Sequence, residues 1–224
     1  MNEETLVLRV GIEGRWEAAE FAKSLSALDQ LYLTRFALTL EHEELRELRD
    51  FYMEGPFGPM PYLHSSRSLR RWLKAAPPGV FRRERQLEIL GGPGDAGPAI
   101  AELLEDHERL LVQRVIYGSP GIKDLFGVGE IVGHLKDLLV RLIDHCSTRR
   151  QRKLENDRRE LENRKLELEV AKEFVALARD IGYTKREMRQ LVAKTVEQQQ
   201  PLVRLITAGK IVSADTLEGE LEKG

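Results

Sequence analysis

A chain of 224 residues with 42% apolar and 32% charged side chains is long enough to fill one hydrophobic core and carry an appendage, but too short for several large domains. Its 35 lysines and arginines against 37 aspartates and glutamates leave a formal charge of −2, which argues against a surface devoted to coating nucleic acid or membrane. The single cysteine, Cys146, excludes an internal disulfide.

Thr5 to Glu13 alternates, with Leu6, Leu8, Val10 and Ile12 on one side and Thr5, Val7, Arg9 and Gly11 on the other, which predicts a half-buried strand. Gly14 ends it. Trp16, Phe21, Leu25, Leu28, Tyr32 and Phe36 then recur near the helical repeat, predicting a helix from about Arg15 that continues through Leu38, Leu45, Leu48 and Phe51. It stops in the loop 55–61, where Pro56, Pro59 and Pro61 remove backbone donors. A short helix over 65–75, a strand over 86–90, a glycine- and proline-rich loop over 91–98 and a short helix over 99–107 follow.

Residues 110–117 are rich in β-branched and aromatic side chains and end at Gly118, which predicts a second strand. Ser119 and Pro120 suit the start of a helical turn. From Val128 on, Ile131, Val132, Leu135, Leu138, Leu139, Leu142 and Ile143 fall on one helical face, and Glu130, His134, Asp137, Arg141, Asp144 and His145 on the other. The charged positions of this stretch exclude a membrane-spanning helix, which needs ~20 mostly apolar residues. No signal peptide is read at the start, so the expected location is cytoplasmic. With no proline or glycine between Gly133 and Gly182, a single helix is predicted to Ile181, on the order of 80 Å at 1.5 Å per residue. Gly182 is a candidate cap, Thr184 to Glu187 reads as a capping box for another helix before Pro201, and Asp215 to Glu218 suits a last short, frayed helix.

These elements predict an α+β fold: a small, mostly antiparallel sheet with helices packed on one face, then a long charged helix and a C-terminal helical segment. The organisation read from them is an α+β body over 1–126, a long amphipathic to charged helix with a candidate coiled coil over 127–182, and a helical segment with a frayed end over 183–224.

Leu154, Leu161, Leu168 and Val175 recur every seven residues, the spacing that keeps one seam towards a partner helix. The companion seam position holds Gln151, Arg158, Lys165 and Lys172, which excludes a fully apolar zipper and suits looser pairing. Arg70, Arg71, Trp72, Arg82 and Arg83 form a basic stretch with interleaved aromatics, a candidate contact for nucleic acid or another anion. The acidic block Glu41 to Glu54 is a competing internal partner for those arginines. Gly118, Ser119 and Gly121 open a glycine-rich stretch reaching Gly129, a candidate phosphate loop before a helix, although it lacks the Walker and dinucleotide spacings. Glu130, His134 and Asp137 share the polar side of their helix, and no metal is assigned to them.

The function expected is therefore a non-catalytic protein–protein interaction or oligomerisation module using the extended helix, its partner another protein or a second copy. The alternatives are a regulatory domain binding a nucleotide or other phosphate ligand at the Gly118–Gly129 loop, or nucleic-acid contact through 67–85. No catalytic residue and no cofactor are assigned.

Overall fold

The computed structural model describes residues 5–54, 104, 108–118, 120–151 and 174–218. The predicted loops 55–61 and 91–98, the short helix over 65–75 and the strand over 86–90 lie outside the described residues, as does most of the predicted helix over 99–107. In chain order the elements are β1 (Thr5–Ile12), α1 (Ala18–Glu54), β2 (Leu111–Ile116), β3 (Gly121–Val128), α2 (Gly129–Gln151), a helical stretch over 174–181, α3 (Lys185–Thr207) and β4 (Ile211–Glu218). The sheet runs β2-β3-β1-β4, and every neighbouring pair is antiparallel. The fold is α+β with an antiparallel sheet.

The chain divides into two compact units. The first comprises Met1–Tyr32, Leu103–Val170 and Val196–Gly224, and the second Leu33–Glu102 and Ala171–Thr195. A contiguous body over 1–126 is thus not what forms, because the sheet takes its β4 strand from residues 211–218. Nor is the C-terminal segment wholly helical. Gly209, at φ 72°, ends α3, with Lys210 N–H donating to the Leu205 carbonyl and Gly209 N–H to that of Ile206. The chain then pairs with β1 and buries Ile211 and Ala214, a gain that the local capping potential of Asp215 does not match.

In the first unit, Leu8, Val10 and Ile12 share a sheet face with Lys123, Leu125 and Gly127 of β3. On this face α2 buries Ile131, Val132, Leu135, Leu138, Leu139 and Leu142 while running against β4, β1 and β3. Gly127 is what lets two helices come close: a Cβ there would lie 3.0 Å from Tyr32 Cε2 of α1 and 3.2 Å from Val132 Cγ2 of α2. The Tyr32 hydroxyl accepts from Val128 N–H at 3.0 Å and donates to the Glu108 carbonyl at 2.7 Å, so it ties α1 to the end of β3 and to the approach to β2. Burial pushes this phenol up to about 12.

α3 continues through Pro201 to Thr207 instead of stopping before it. Proline removes one helical hydrogen bond, but Leu202, Leu205 and Ile206 are buried beyond it, and their burial outweighs that loss. In the second unit, Leu33, Phe36, Ala37, Leu38 and Leu45 of α1 are buried, as are Phe174, Ala178, Ile181, Tyr183 and Leu191. The Tyr183 hydroxyl donates to Glu41 Oε2 at 2.6 Å inside this unit. Gly182, at φ 90°, caps the 174–181 helix, with Tyr183 N–H reaching the Ala178 carbonyl. Thr184 and Glu187 close the predicted capping box in both directions. No described helix is long and apolar enough to cross a membrane.

Candidate functional site

β2 is an edge of the sheet among the described residues, and all six of its residues are exposed. It is also apolar on both sides. Leu111 and Ile116 register with Phe126 and Ile122 on one sheet face, while Val112 and Val115 register with Leu125 and Lys123 on the other. Their exposures are 36% for Leu111, 50% for Val112, 40% for Val115 and 47% for Ile116, with 63% for the adjoining Tyr117. Apolar residues on both faces are the pattern of a strand inside a sheet rather than at its rim, where charges and prolines discourage further pairing. The opposite edge, β4, mixes exposed Ser213, Asp215 and Glu218 with exposed Val212 and Leu217. At Gln113 the β2–β3 register shifts, a bulge that twists the edge locally.

Behind β2, a row of charges crosses one sheet face. Arg9 registers with Asp215 on β4 and with Asp124 on β3, and Asp124 registers with Arg114 on β2. From edge to edge the signs alternate: acid, base, acid, base. Arg9 grips Asp124 with both oxygens engaged, Nε to Oδ1 and Nη2 to Oδ2, each at 2.9 Å. Arg114 shares Oδ2, with Nε at 3.0 Å and Nη2 at 2.7 Å. The Asp124 side chain is 2% exposed and that of Arg114 is 52% exposed. The Arg9 hydrogen bonds, with those of Arg114, hold the Asp124 carboxyl below the usual range despite its burial.

On the other face, Lys123 is wholly buried and has two aromatic rings for company. Its Nζ lies 4.0 Å from the Trp16 ring centroid and 3.9 Å from that of Phe21, and donates to Ser24 Oγ at 2.7 Å. The rings meet edge to face with centroids 6.0 Å apart. Tyr117, at the end of β2, fixes Trp16 by accepting from its backbone N–H at 3.2 Å and donating to its carbonyl at 3.0 Å. Lys210, ion-paired with Glu20, stands 5.9 Å from the same indole. Burial pushes the Lys123 ammonium down to about 8. An amine enclosed in this way is out of reach of a substrate, so its position reads as a hub that locks the α1 entry and the end of β2 to β3.

The residues singled out from the sequence are distributed differently. Leu154, Leu161 and Leu168 of the helical seam and Arg70, Arg71, Trp72, Arg82 and Arg83 of the basic stretch lie outside the described residues. Val175, half-buried, falls in the helical stretch over 174–181 of the second unit. The predicted glycine loop is a tight connection followed by strand: Gly118 is an exposed bend, Ser119 is outside the described residues, and Gly121 begins β3. A Cβ at Gly121 would lie 2.7 Å from the Ile116 carbonyl oxygen, 3.0 Å from that of Gly118 and 3.1 Å from the Gly118 nitrogen, so the turn has no room for a side chain there. Glu130 and His134 stand 3.8 Å apart one helical turn from each other, and among the described residues no three His, Cys, Asp or Glu side chains converge for a metal. No protein-family model, curated protein or solved structure matches the chain.

Sequence reasoning predicted the β2 strand but not its position at an edge with both faces exposed. The roles of Arg9, Arg114 and Asp124 also went unread. The available signal was three charges at otherwise apolar strand positions, two of one sign and one of the other.

Proposed function

We propose that this protein is a non-catalytic protein–protein interaction module that takes an extended segment of another protein as an additional strand along β2. The observation that carries the reading is the β2 edge itself, apolar on both faces and exposed along its whole length. Strand addition supplies affinity through main-chain hydrogen bonds and selectivity through alternate side chains, and needs no catalytic group. The occupant is a flexible segment rather than the rigid edge of a second copy. The bulge at Gln113 twists this edge, which a flexible chain can follow and a preformed sheet edge meets poorly. Antiparallel self-pairing centred on Arg114 would also set two arginines against each other.

The test is selection from a library of short random peptides, followed by hydrogen exchange on the selected complexes. Bound peptides should slow exchange at Leu111–Ile116, and Val112→Lys or Val115→Lys should weaken them by about tenfold or more, as a charge on a strand edge opposes pairing. Ser213→Lys on the opposite edge should leave binding unchanged. Peptides that protect another surface, or that bind the lysine variants equally well, would remove the reading.

A further inference from the structure

The row of charges behind β2 gives the added strand a chemical identity. Asp215, Arg9, Asp124 and Arg114 follow one another across the four strands in register, so each internal member has an opposite charge on both sides. Arg9 is flanked by Asp215 and Asp124, and both acids contribute to raising its pKa. Asp124 is flanked by Arg9 and Arg114 and accepts from both. Arg114, like Asp215 at the opposite end of the row, has an opposite charge on one side only, because its strand is an edge of the sheet among the described residues.

The hydrogen bonds tell the same story. Arg9 satisfies both oxygens of Asp124, so Arg114 adds a second positive charge to a carboxylate already neutralised. Arg114 engages Nε and Nη2, while its Nη1 has no hydrogen-bond partner among the described residues and its side chain is half exposed. In an antiparallel pair, directly opposite residues project to the same face, where opposite charges stabilise and like charges destabilise. A carboxylate opposite Arg114 would continue the alternation to a further strand and meet the guanidinium without displacing Asp124.

The geometry points to an acidic partner: the segment added along β2 carries an aspartate or glutamate opposite Arg114, flanked by apolar residues that cover Leu111, Val112, Val115 and Ile116. This rests on the strand-addition reading and names its selectivity. Arg114 is the specificity-determining residue, and Asp124 with Arg9 positions it.

The experiment uses the full chain and short blocked peptides that alternate threonine and valine around a central glutamate, glutamine or lysine. Affinity is measured at low and high salt, with hydrogen exchange at β2 as the readout of where the peptide lies. The glutamate peptide should bind about tenfold more tightly than the lysine peptide, with the gap narrowing as salt rises. Arg114→Gln should abolish that preference while the glutamine peptide still protects β2, and Arg114→Lys should retain part of it. If the peptides protect β2 but all three bind alike, or if the preference survives Arg114→Gln, the acidic assignment is overturned and strand addition stands. If none of them protects β2, strand addition along this edge fails as well. Protection of β2 that grows with protein concentration alone, and disappears in Asp215→Lys, would assign the edge to β4 of a second copy and overturn the proposal of another protein.

Discussion

Among the described residues no carboxylate pairs with the buried Lys123 ammonium, and its acid–base behaviour is the sharpest residue-level consequence of the fold. Burial depresses its pKa to about 8 from an ordinary 10.5, while the faces of Trp16 and Phe21 favour the charged form and offset part of the cost. Between those two values the unfolded chain holds a proton that the folded chain has released. Stability therefore rises with pH through that window, and is flat at its lower level below about 8 as far as this group is concerned. Tyr32 acts in the opposite sense above pH 10, since its folded pKa of about 12 keeps a proton that the unfolded phenol loses. Urea midpoints should thus climb from pH 8 towards 10 by the equivalent of about 2 kcal/mol, and Lys123→Met should be more stable at pH 7 and lose the climb. A wild-type slope retained in Lys123→Met would assign the dependence to another group. The alternation of Leu6, Leu8, Val10 and Ile12 was legible because it is local. The surroundings of Lys123 and Asp124 were not, since Ser24 and Arg9 lie 99 and 115 residues away along the chain.

At the scale of elements, what the sequence revealed followed how much of each decision is made within one turn. The Gly182 cap and the Thr184–Glu187 box were legible because all their hydrogen bonds fall within six consecutive positions, 178–183, or four, 184–187. Gly182→Ala forces a Cβ into φ 90°, and should lower the stability of the second unit by about 1 kcal/mol, measured as a shift in urea midpoint. An unchanged midpoint would mean that the cap is not strained by a side chain. β3 was hidden because Gly121, Lys123, Asp124 and Gly127 erase the apolar alternation, each for a tertiary reason. Gly121 accommodates the turn, Gly127 admits Tyr32 and Val132, Lys123 enters the aromatic pair, and Asp124 joins two arginines. β4 was misread for a related cause: Asp215 resembles a helix cap in isolation, but its register partner is Arg9. The β2 run was recognised as strand. Its availability for pairing depends on strand order, which no local pattern encodes.

For the molecule as a whole, the sheet joins residues from both ends of the chain, because β1 at 5–12 sits between β3 at 121–128 and β4 at 211–218. Contacts of such sequence separation form only after a large loop-closure cost, so the sheet is expected to complete late in folding. β4 also gives α2 part of its packing surface, and its Ile211 and Ala214 are buried. Ending the chain at Gly209 removes this strand, exposes the β1 edge to solvent and uncovers one side of α2. Burial of an isoleucine-sized side chain contributes roughly 2–3 kcal/mol and each lost strand hydrogen bond about 1 kcal/mol, a sum comparable with the roughly 5–15 kcal/mol that stabilises a typical domain. The shortened chain should therefore lose cooperative unfolding of the first unit, and its β1 amides should exchange at nearly the rate of an unfolded peptide. The second unit provides the internal control, since the Gly182 cap and the Tyr183–Glu41 hydrogen bond involve no residue beyond 209. Retained protection of β1 in the shortened chain would show that β3 and the helices suffice to hold it, and that β4 serves as a cover for the edge rather than as part of the folding unit.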